Sequence, residues 1–297
     1  MNQDIHNFIQ YLHQEKQTSE NTEVSYERDL KKMILYLTIH GVDRIDAVTP
    51  EVLNSYVIEL EQSGLKPATV SRSVASMKAF FHYEELEQRT SADPAFELKA
   101  PKVEKKAPTI LTTEQTNRLL AQPKDNSAKG LRDKAMLELL YATGIRVSEC
   151  VGLDITDVDF RNNGIKVHRK GGAEVVVYFG DEVRTALLNY LEERNTIEAV
   201  EGSTNALFLS LQKKRIGVRA VENLVKKYSK LITTMKNITP HKLRSTYGTS
   251  LYRETGDIYL VADVLGHKDV NTTKKHYAAL EDERRRTAPK YIHLRDE

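Results

Sequence analysis

The stretch Ile165-Lys166-Val167-His168-Arg169-Lys170-Gly171-Gly172-Ala173-Glu174-Val175-Val176-Val177-Tyr178-Phe179 decides the fold class. It carries the strongest β signal in a chain otherwise patterned for helices. Ile165–Lys170 and Val175–Phe179 are rich in β-branched residues, and Gly171-Gly172 between them suits the tight turn of a hairpin. Leu207-Phe208-Leu209 is a candidate third, edge strand. The expected fold is therefore mainly α with a small β-sheet, the sheet belonging to a mixed α/β second domain.

On both sides of the hairpin the apolar spacing turns helical. Upstream, Thr112-x-x-Gln115 is a capping box for a helix ending near Ala121. Met136, Leu137, Leu139 and Leu140 then mark a strongly apolar helix that stops at Gly144. Downstream, helices resume from Arg219, and Pro240 is placed to open one.

The first hundred residues read as helices throughout. Ile5, Phe8, Ile9 and Leu12 repeat at three- and four-residue spacing. After Ser19, a suitable N-cap, Leu30, Met33, Ile34 and Leu37 form one stripe that ends at Gly41. Thr49-Pro50-Glu51 supplies a cap, a first-turn proline and an acid at the positive end of the dipole, for a helix running to about Gly64. Pro67 opens another helix with Val70, Val74, Met77 and Phe81 inward. Its other face carries Lys66, Thr69, Arg72, Ser73 and Lys78, which would suit a phosphate backbone as well as plain water. Pro94, Pro101 and Pro108 interrupt the pattern among Lys99, Lys102, Lys105 and Lys106. The division expected is a helical domain over 1–90, a basic linker over 91–110 and a mixed domain over 111–297.

A length of 297 residues fits two domains, and 29% charged against 40% hydrophobic residues excludes a disordered or fibrous chain. No apolar run is long enough to span a bilayer, and the N-terminal residues lack a secretory pattern. The single cysteine, Cys150, excludes an internal disulfide and a Cys-rich zinc site. These features favour the cytoplasm. The net charge is +2, but it is unevenly spread. Residues 1–100 hold 10 Lys+Arg against 16 Asp+Glu, a balance of −6, and the remaining 34 against 26 give +8. The basic second part favours a polyanionic partner.

Three short motifs concentrate reactive residue types. Gly144-Ile145-Arg146-Val147-Ser148-Glu149 places an arginine just after a helix-ending glycine, with an acid three positions on. His241-Lys242-Leu243-Arg244 follows Pro240, so His241 and Arg244 share a helical face. Leu265-Gly266-His267 comes next, with Tyr277 ten residues later. Each motif alone is weak. Together they supply paired guanidinium forks, imidazoles and a phenol, a set suited to a phosphodiester whose non-bridging oxygens gain charge as a fifth bond forms.

In this order, Arg146, a hairpin lysine, His241-x-x-Arg244, Leu-Gly-His267 and Tyr277 resemble the tyrosine recombinase (phage integrase) family, and most of all its compact Xer-type members. Asn21-Thr22, Ser25-Tyr26, Asp29-Leu30, Thr69-x-x-Arg72, Asp93-Pro94, Pro101-Lys102 and Leu111-Thr112-x-x-Gln115 extend the resemblance over nearly the whole chain. It implies an N-terminal helical core-binding domain joined to a tyrosine-recombinase catalytic domain. It also implies site-specific cutting and rejoining of DNA through a 3′-phosphotyrosyl intermediate.

By this resemblance Arg146 and Arg244 clamp the scissile phosphate and Glu149 steadies Arg146. Lys170 protonates the leaving 5′ oxygen, His241 assists proton transfer from the tyrosine, His267 bonds the phosphate and Tyr277 attacks. Thr69, Arg72, Lys78 and Lys102 are the expected DNA-backbone contacts. The hairpin departs from the family by having Arg169 where glycine is common, so two basic side chains, Arg169 and Lys170, compete for the lysine's role. Ser245 stands where many relatives have histidine, and the His267-to-Tyr277 interval is one residue longer than in the nearest Xer-type members.

No nucleotide-binding loop is present. Asp154, Asp157 and Asp159 make a poor metal cluster, so no cofactor or metal is expected. The expected partner is a double-stranded recombination site held by a homotetramer, with room for a second recombinase, in chromosome-dimer resolution or mobile-element exchange. A catalytically inert DNA-binding regulator on the same fold is the alternative, and a metal-dependent nuclease a more distant one.

Overall fold

Helix-capping chemistry sets the boundaries of the first elements. The computed structural model describes residues 1–103, 110–169, 172–232, 238–267 and 270. It divides into two compact units, Met1–Lys106 and Ala107–Glu297. In the first, helix α1 spans Asn2–Gln14 and helix α2 Glu20–Ile39, and the Ser19 hydroxyl accepts the Thr22 N–H as N-cap. After a 3₁₀ turn, α3 spans Pro50–Gln62 and α4 Pro67–Leu86, each with proline in its first turn.

The expected stripes face inward. Phe8, Leu30, Met33, Leu37, Val70, Met77 and Phe81 are buried in one core, with Phe8 and Phe80 meeting edge to face at 5.5 Å. Two readings need correction. Ser73 was expected on the wet face of α4, yet it is buried, because it lies one turn before Met77 on the inward stripe. Ala95 and Leu98, expected in an extended linker, also join this core. A turn closed by the Ala95 N–H on Asp93 Oδ1 folds that segment back onto its own unit.

In the second unit the capping box forms as expected. Thr112 Oγ1 accepts the Gln115 N–H at 3.1 Å and Gln115 Oε1 accepts the Thr112 N–H at 3.1 Å, opening α5 (Thr113–Leu120). Helix α6 (Ala128–Thr143) ends at left-handed Gly144, and the short α7 (Val147–Gly152) follows at once. A three-stranded antiparallel sheet comes next: β1 (Val158–Asp159), β2 (Gly164–His168) and β3 (Glu174–Tyr178), in that order. Ile165 opposes Val177 and Val167 opposes Val175. Ile165, Val167 and Val177 all enter the core with Met136, Leu137, Leu140 and Leu187.

Leu207-Phe208-Leu209 is no strand of this sheet. Its groups pair irregularly, Leu207 N–H with Leu153 O and Leu209 N–H with the Tyr190 hydroxyl, and Val158–Asp159 is the third strand instead. Helix α8 (Asp181–Arg194) was not anticipated, although Val183, Leu187, Tyr190 and Leu191 carry a helical stripe. Helices α9 (Val218–Ser229), α10 (Pro240–Thr255) and α11 (Ile258–Leu265) complete the described chain. Val261 and Leu265 of α11 form a separate small cluster with Tyr252 of α10. Among the described residues no helix is long and apolar enough to cross a membrane.

Candidate active site

Two helix ends and one helix start meet at the candidate site, and glycine makes both ends possible. Gly144, the C-cap of α6, has φ +61°, and a Cβ there would lie 2.4 Å from the Tyr247 ring. Only glycine meets both demands, so the chain leaves α6 in two residues and delivers Arg146 to the start of α7.

Glu149 fixes that arginine. Its Oε2 accepts the Arg146 backbone N–H at 2.7 Å, and its Oε1 accepts from Arg146 Nη1 at 2.8 Å. The Glu149 side chain is 5% exposed and the Arg146 side chain 41%. The acid is therefore internal scaffolding, while the guanidinium reaches the surface.

The second glycine, Gly266, ends α11 with φ +62°. Its N–H donates to Asp263 O at 2.8 Å and the His267 N–H to Ala262 O at 2.9 Å, the two bonds of a Schellman motif. A helix end leaves its last carbonyls without intrahelical donors. Here three arginines supply them. Arg169 Nη1 donates to Asp263 O at 3.2 Å and its Nη2 to Val264 O at 2.8 Å. Arg244 Nη2 donates to Leu265 O, and Arg146 Nη2 to Gly266 O at 3.3 Å.

Arg244 ties the two glycine-capped ends together. It is buried on α10, and its Nη1 donates to Gly144 O while Nη2 serves Leu265 O. Thr239 caps α10 by accepting the Lys242 N–H at 3.3 Å, and Pro240 occupies the first turn. His241, exposed, sits one turn before Arg244 on this helix. Thr246 Oγ1 accepts the Leu111 N–H at 3.1 Å and so fixes the start of the unit to α10.

The structure thus brings Arg146, Glu149, Arg244 and the backbone of His267 to one place, with His241 on the adjoining turn. Lys170 and Tyr277 lie outside the described residues. Thr69, Arg72, Lys78 and Lys102 all belong to the first unit. There Arg72 is bound in parallel to Asp29, Nε to Oδ2 at 2.8 Å and Nη2 to Oδ1 at 2.9 Å. Lys78 Nζ donates to Phe96 O at 2.8 Å, Thr69 is half-buried and Lys102 is exposed.

The acids weighed as metal ligands are occupied locally. Asp157 accepts the Asp154 N–H, Asp154 binds Arg215, and Asp159 closes a turn through Arg161 and Asn162. Burial raises the Tyr247 phenol above its usual range and pushes the Cys150 thiol up to about 12, so neither is poised as a nucleophile. Sequence reasoning did not foresee Arg169 as a third arginine at the end of α11. Its signal was the arginine standing before Lys170 where the family commonly has glycine. The Asp29–Arg72 pair was also missed, because 43 positions separate its members.

Family comparisons agree with this arrangement. The phage integrase family model matches residues 109–284, and the model for the phage integrase N-terminal SAM-like domain matches residues 5–88. A protein named as a tyrosine recombinase in Caldanaerobacter subterraneus is 36% identical over 88% of this chain and 88% of its own length. Tyrosine recombinase XerD of Staphylococcus epidermidis is 32% identical over 92% of this chain and 93% of its own. The crystal structure of XerH bound to its difH substrate has a TM-score of 0.74 at 18% identity, covering 98% of this chain and 84% of that one. Both family models match in sequence order and the relatives align over most of their length, so the chain belongs to the phage integrase family of tyrosine recombinases.

Proposed function

We propose that this tyrosine recombinase breaks and rejoins DNA at a specific site, with Arg146 and Arg244 as the phosphate clamp. The observation that carries this reading is the convergence of Arg146, Arg244 and the His267 turn on two glycine-capped helix ends. Gly144 O and Leu265 O hold the Arg244 guanidinium through neutral acceptors. These two bonds orient the guanidinium in the plane that joins the two helix ends. A phosphorane-like transition state, richer in oxygen charge than the ground state, is the species such a preorganised pair stabilises most.

In the proposed step the Tyr277 phenol loses its proton to His241 as its oxygen bonds to phosphorus. The bond to the 5′ oxygen breaks, and Lys170 donates a proton to that oxygen. His267 steadies a non-bridging oxygen. The 3′-phosphotyrosyl product retains a phosphodiester, so attack by a 5′ hydroxyl of another strand releases the tyrosine and reseals DNA with no external energy source. Engagement of Arg169 by Asp263 O and Val264 O supports Lys170, rather than Arg169, as the proton donor.

Residues 1–90 would act as the core-binding domain, contacting the backbone through Thr69, Arg72 and Lys78, and 91–110 would connect it, with Lys102 on DNA, to the catalytic domain at 111–297. Two duplexes present four strands for cutting, which calls for a tetramer of this chain or a mixed one with a second recombinase. The reaction places the protein in the cytoplasm with the DNA.

Covalent capture tests the proposal. The protein is mixed with sheared genomic DNA, denatured with detergent, and the protein-linked ends are sequenced. A nicked duplex carrying the recovered site should then trap the enzyme at a 3′ end. Tyr277→Phe should abolish trapping while binding persists. Binding without any adduct from the unsubstituted chain would identify an inert DNA-binding regulator, and free ends sensitive to chelators would identify a nuclease.

A further inference from the structure

Arg169 stands at the base of the hairpin turn, with both of its peptide groups already paired. Its N–H donates to Ala173 O at 2.8 Å, and its carbonyl accepts the Gly172 N–H at 3.1 Å. The root of the side chain is therefore fixed by the turn itself. Its far end crosses to α11, bonding Asp263 O and Val264 O across some ninety residues of sequence. Gly266 lies directly beneath the guanidinium, and a Cβ there would sit 2.2 Å from Arg169 Nη1.

Helix α11 needs such a tether. Its apolar residues cluster with α10 and not with the main core of the unit. Its last carbonyls sit at the negative end of a helix dipole, where a cation is favoured. Arg244 and Arg146 hold Leu265 O and Gly266 O, and Arg169, just past the end of β2, donates to Asp263 O and Val264 O. With Arg169 removed, the turn loses its bonds to the hairpin side and keeps those from Arg146 and Arg244.

We infer that Arg169 is a positioning residue that fixes the Gly266-His267 turn against the β2–β3 hairpin, so that His267 meets the scissile phosphate in register. The inference rests on the reading of this site as a phosphotyrosyl-forming centre. Arg169 itself donates to the protein backbone, and its effect passes through His267.

The test uses the full chain and the nicked duplex recovered by covalent capture. Arg169→Ala should slow adduct formation about 10- to 100-fold, the penalty for a misplaced catalytic group, with DNA affinity within about twofold by titration of the Tyr277→Phe form. Gly266→Ala, which evicts the guanidinium, should reproduce the loss, and adding Arg169→Ala to it should cost little more.

A double-mutant cycle supplies the readout that a merely structural role would not move. In a His267→Ala background, Arg169→Ala should slow cleavage by less than about threefold, because the shared function is already gone. Full additivity would overturn the inference. A duplex with a 5′-bridging phosphorothiolate, whose leaving sulfur needs no proton, should leave the Arg169→Ala deficit in place. Rescue by that substrate would also overturn it, by assigning Arg169 to leaving-group protonation. An adduct from the unsubstituted chain together with full activity of Arg169→Ala sinks this inference alone. Absence of any adduct from the unsubstituted chain sinks the functional reading beneath it.

Discussion

Acids hold the paired arginines of the first compact unit, whereas in the second some arginines are held by acids, Arg146 by Glu149 among them, and others by main-chain carbonyls. In the first, Arg44 lies against Asp46, Arg72 against Asp29 and Arg89 against Glu84. In the second, Arg169, Arg194 and Arg244 donate to main-chain carbonyls: Asp263 and Val264, Thr204 and Ala206, Gly144 and Leu265. Arg132 and Arg215 add carbonyl bonds to one carboxylate contact each. A carboxylate orients a guanidinium and cancels its charge, whereas a carbonyl orients it and leaves the charge to act on something else. The difference runs parallel to the charge balance, −6 in residues 1–100 and +8 beyond. In the second unit the backbone thus places Arg169, Arg194 and Arg244, while Arg146, like Arg72, is placed by an acid.

The largest expected effect attacks that arrangement directly. Arg244→Ala removes the donors of two carbonyls in a buried place. A loss of about 2–4 kcal/mol in chemical denaturation is expected, with adduct formation slowed by roughly 10³. Arg244→Lys should recover little of either, since one ammonium cannot span Gly144 O and Leu265 O as a fork does. Wild-type-like stability in the lysine variant would show that charge, and not bridging, is what the site requires.

Glycines sharpen the contrast next. Gly144 and Gly41 both have positive φ, +61° and +75°, but a Cβ at Gly144 meets the Tyr247 ring while Gly41 has open space. Gly41→Ala should cost about 1 kcal/mol for the left-handed backbone alone. Gly144→Ala should cost about 2–4 kcal/mol, strain and overpacking together, and should slow cleavage because Arg146 is two residues away. Equal costs would mean that the α6 end is not the rigid mount described.

Much of this could be read before any coordinates. Caps at Ser19, Thr49 and Thr112 and stops at Gly41 and Gly144 are local chemistry, in which the residue that starts or stops the helix sits beside the turn it ends. The hairpin was legible for the same reason. Arg146, Glu149, His241, Arg244 and His267 were legible as an ordered set of residue types, but nothing in their spacing shows what each touches. Arg244 bridges carbonyls 100 positions before it and 21 after, and main-chain acceptors carry no sequence signature at all. Arg169 was hidden in the same way. Helix α8 differs, since its stripe of Val183, Leu187, Tyr190 and Leu191 is present in the sequence itself.

A smaller effect is expected in the first unit. Arg72 is 40% exposed and its partner Asp29 is 5% exposed, so solvent screens part of the pair. Arg72→Ala should cost about 1 kcal/mol. If α4 lies on the DNA backbone as proposed, affinity should fall about twofold and the salt dependence of binding should drop by less than about one ion, since Asp29 offsets part of the charge, with the cleavage rate at saturating protein unchanged. An unaltered salt slope would place the DNA-facing surface of this unit elsewhere.

Cys150 gives the smallest effect and the finest probe. It is fully buried on α7, and its N–H donates to Arg146 O at 2.9 Å, so its thiol reports on the very turn that mounts Arg146. Burial lifts its pKa from 9.0 to about 12. The unfolded chain therefore loses this proton first, and the stability it contributes is present below about pH 9 and declines as pH rises beyond that. Cys150→Ala should flatten this alkaline decline while hardly changing stability at pH 7. At neutral pH a thiol reagent should modify the native protein no faster than the protein unfolds. Rapid labelling of a folded sample would mean that α7 opens on its own. A mount that opened so easily could not keep Arg146 aimed beside Arg244, whichever of them an acid or a carbonyl holds.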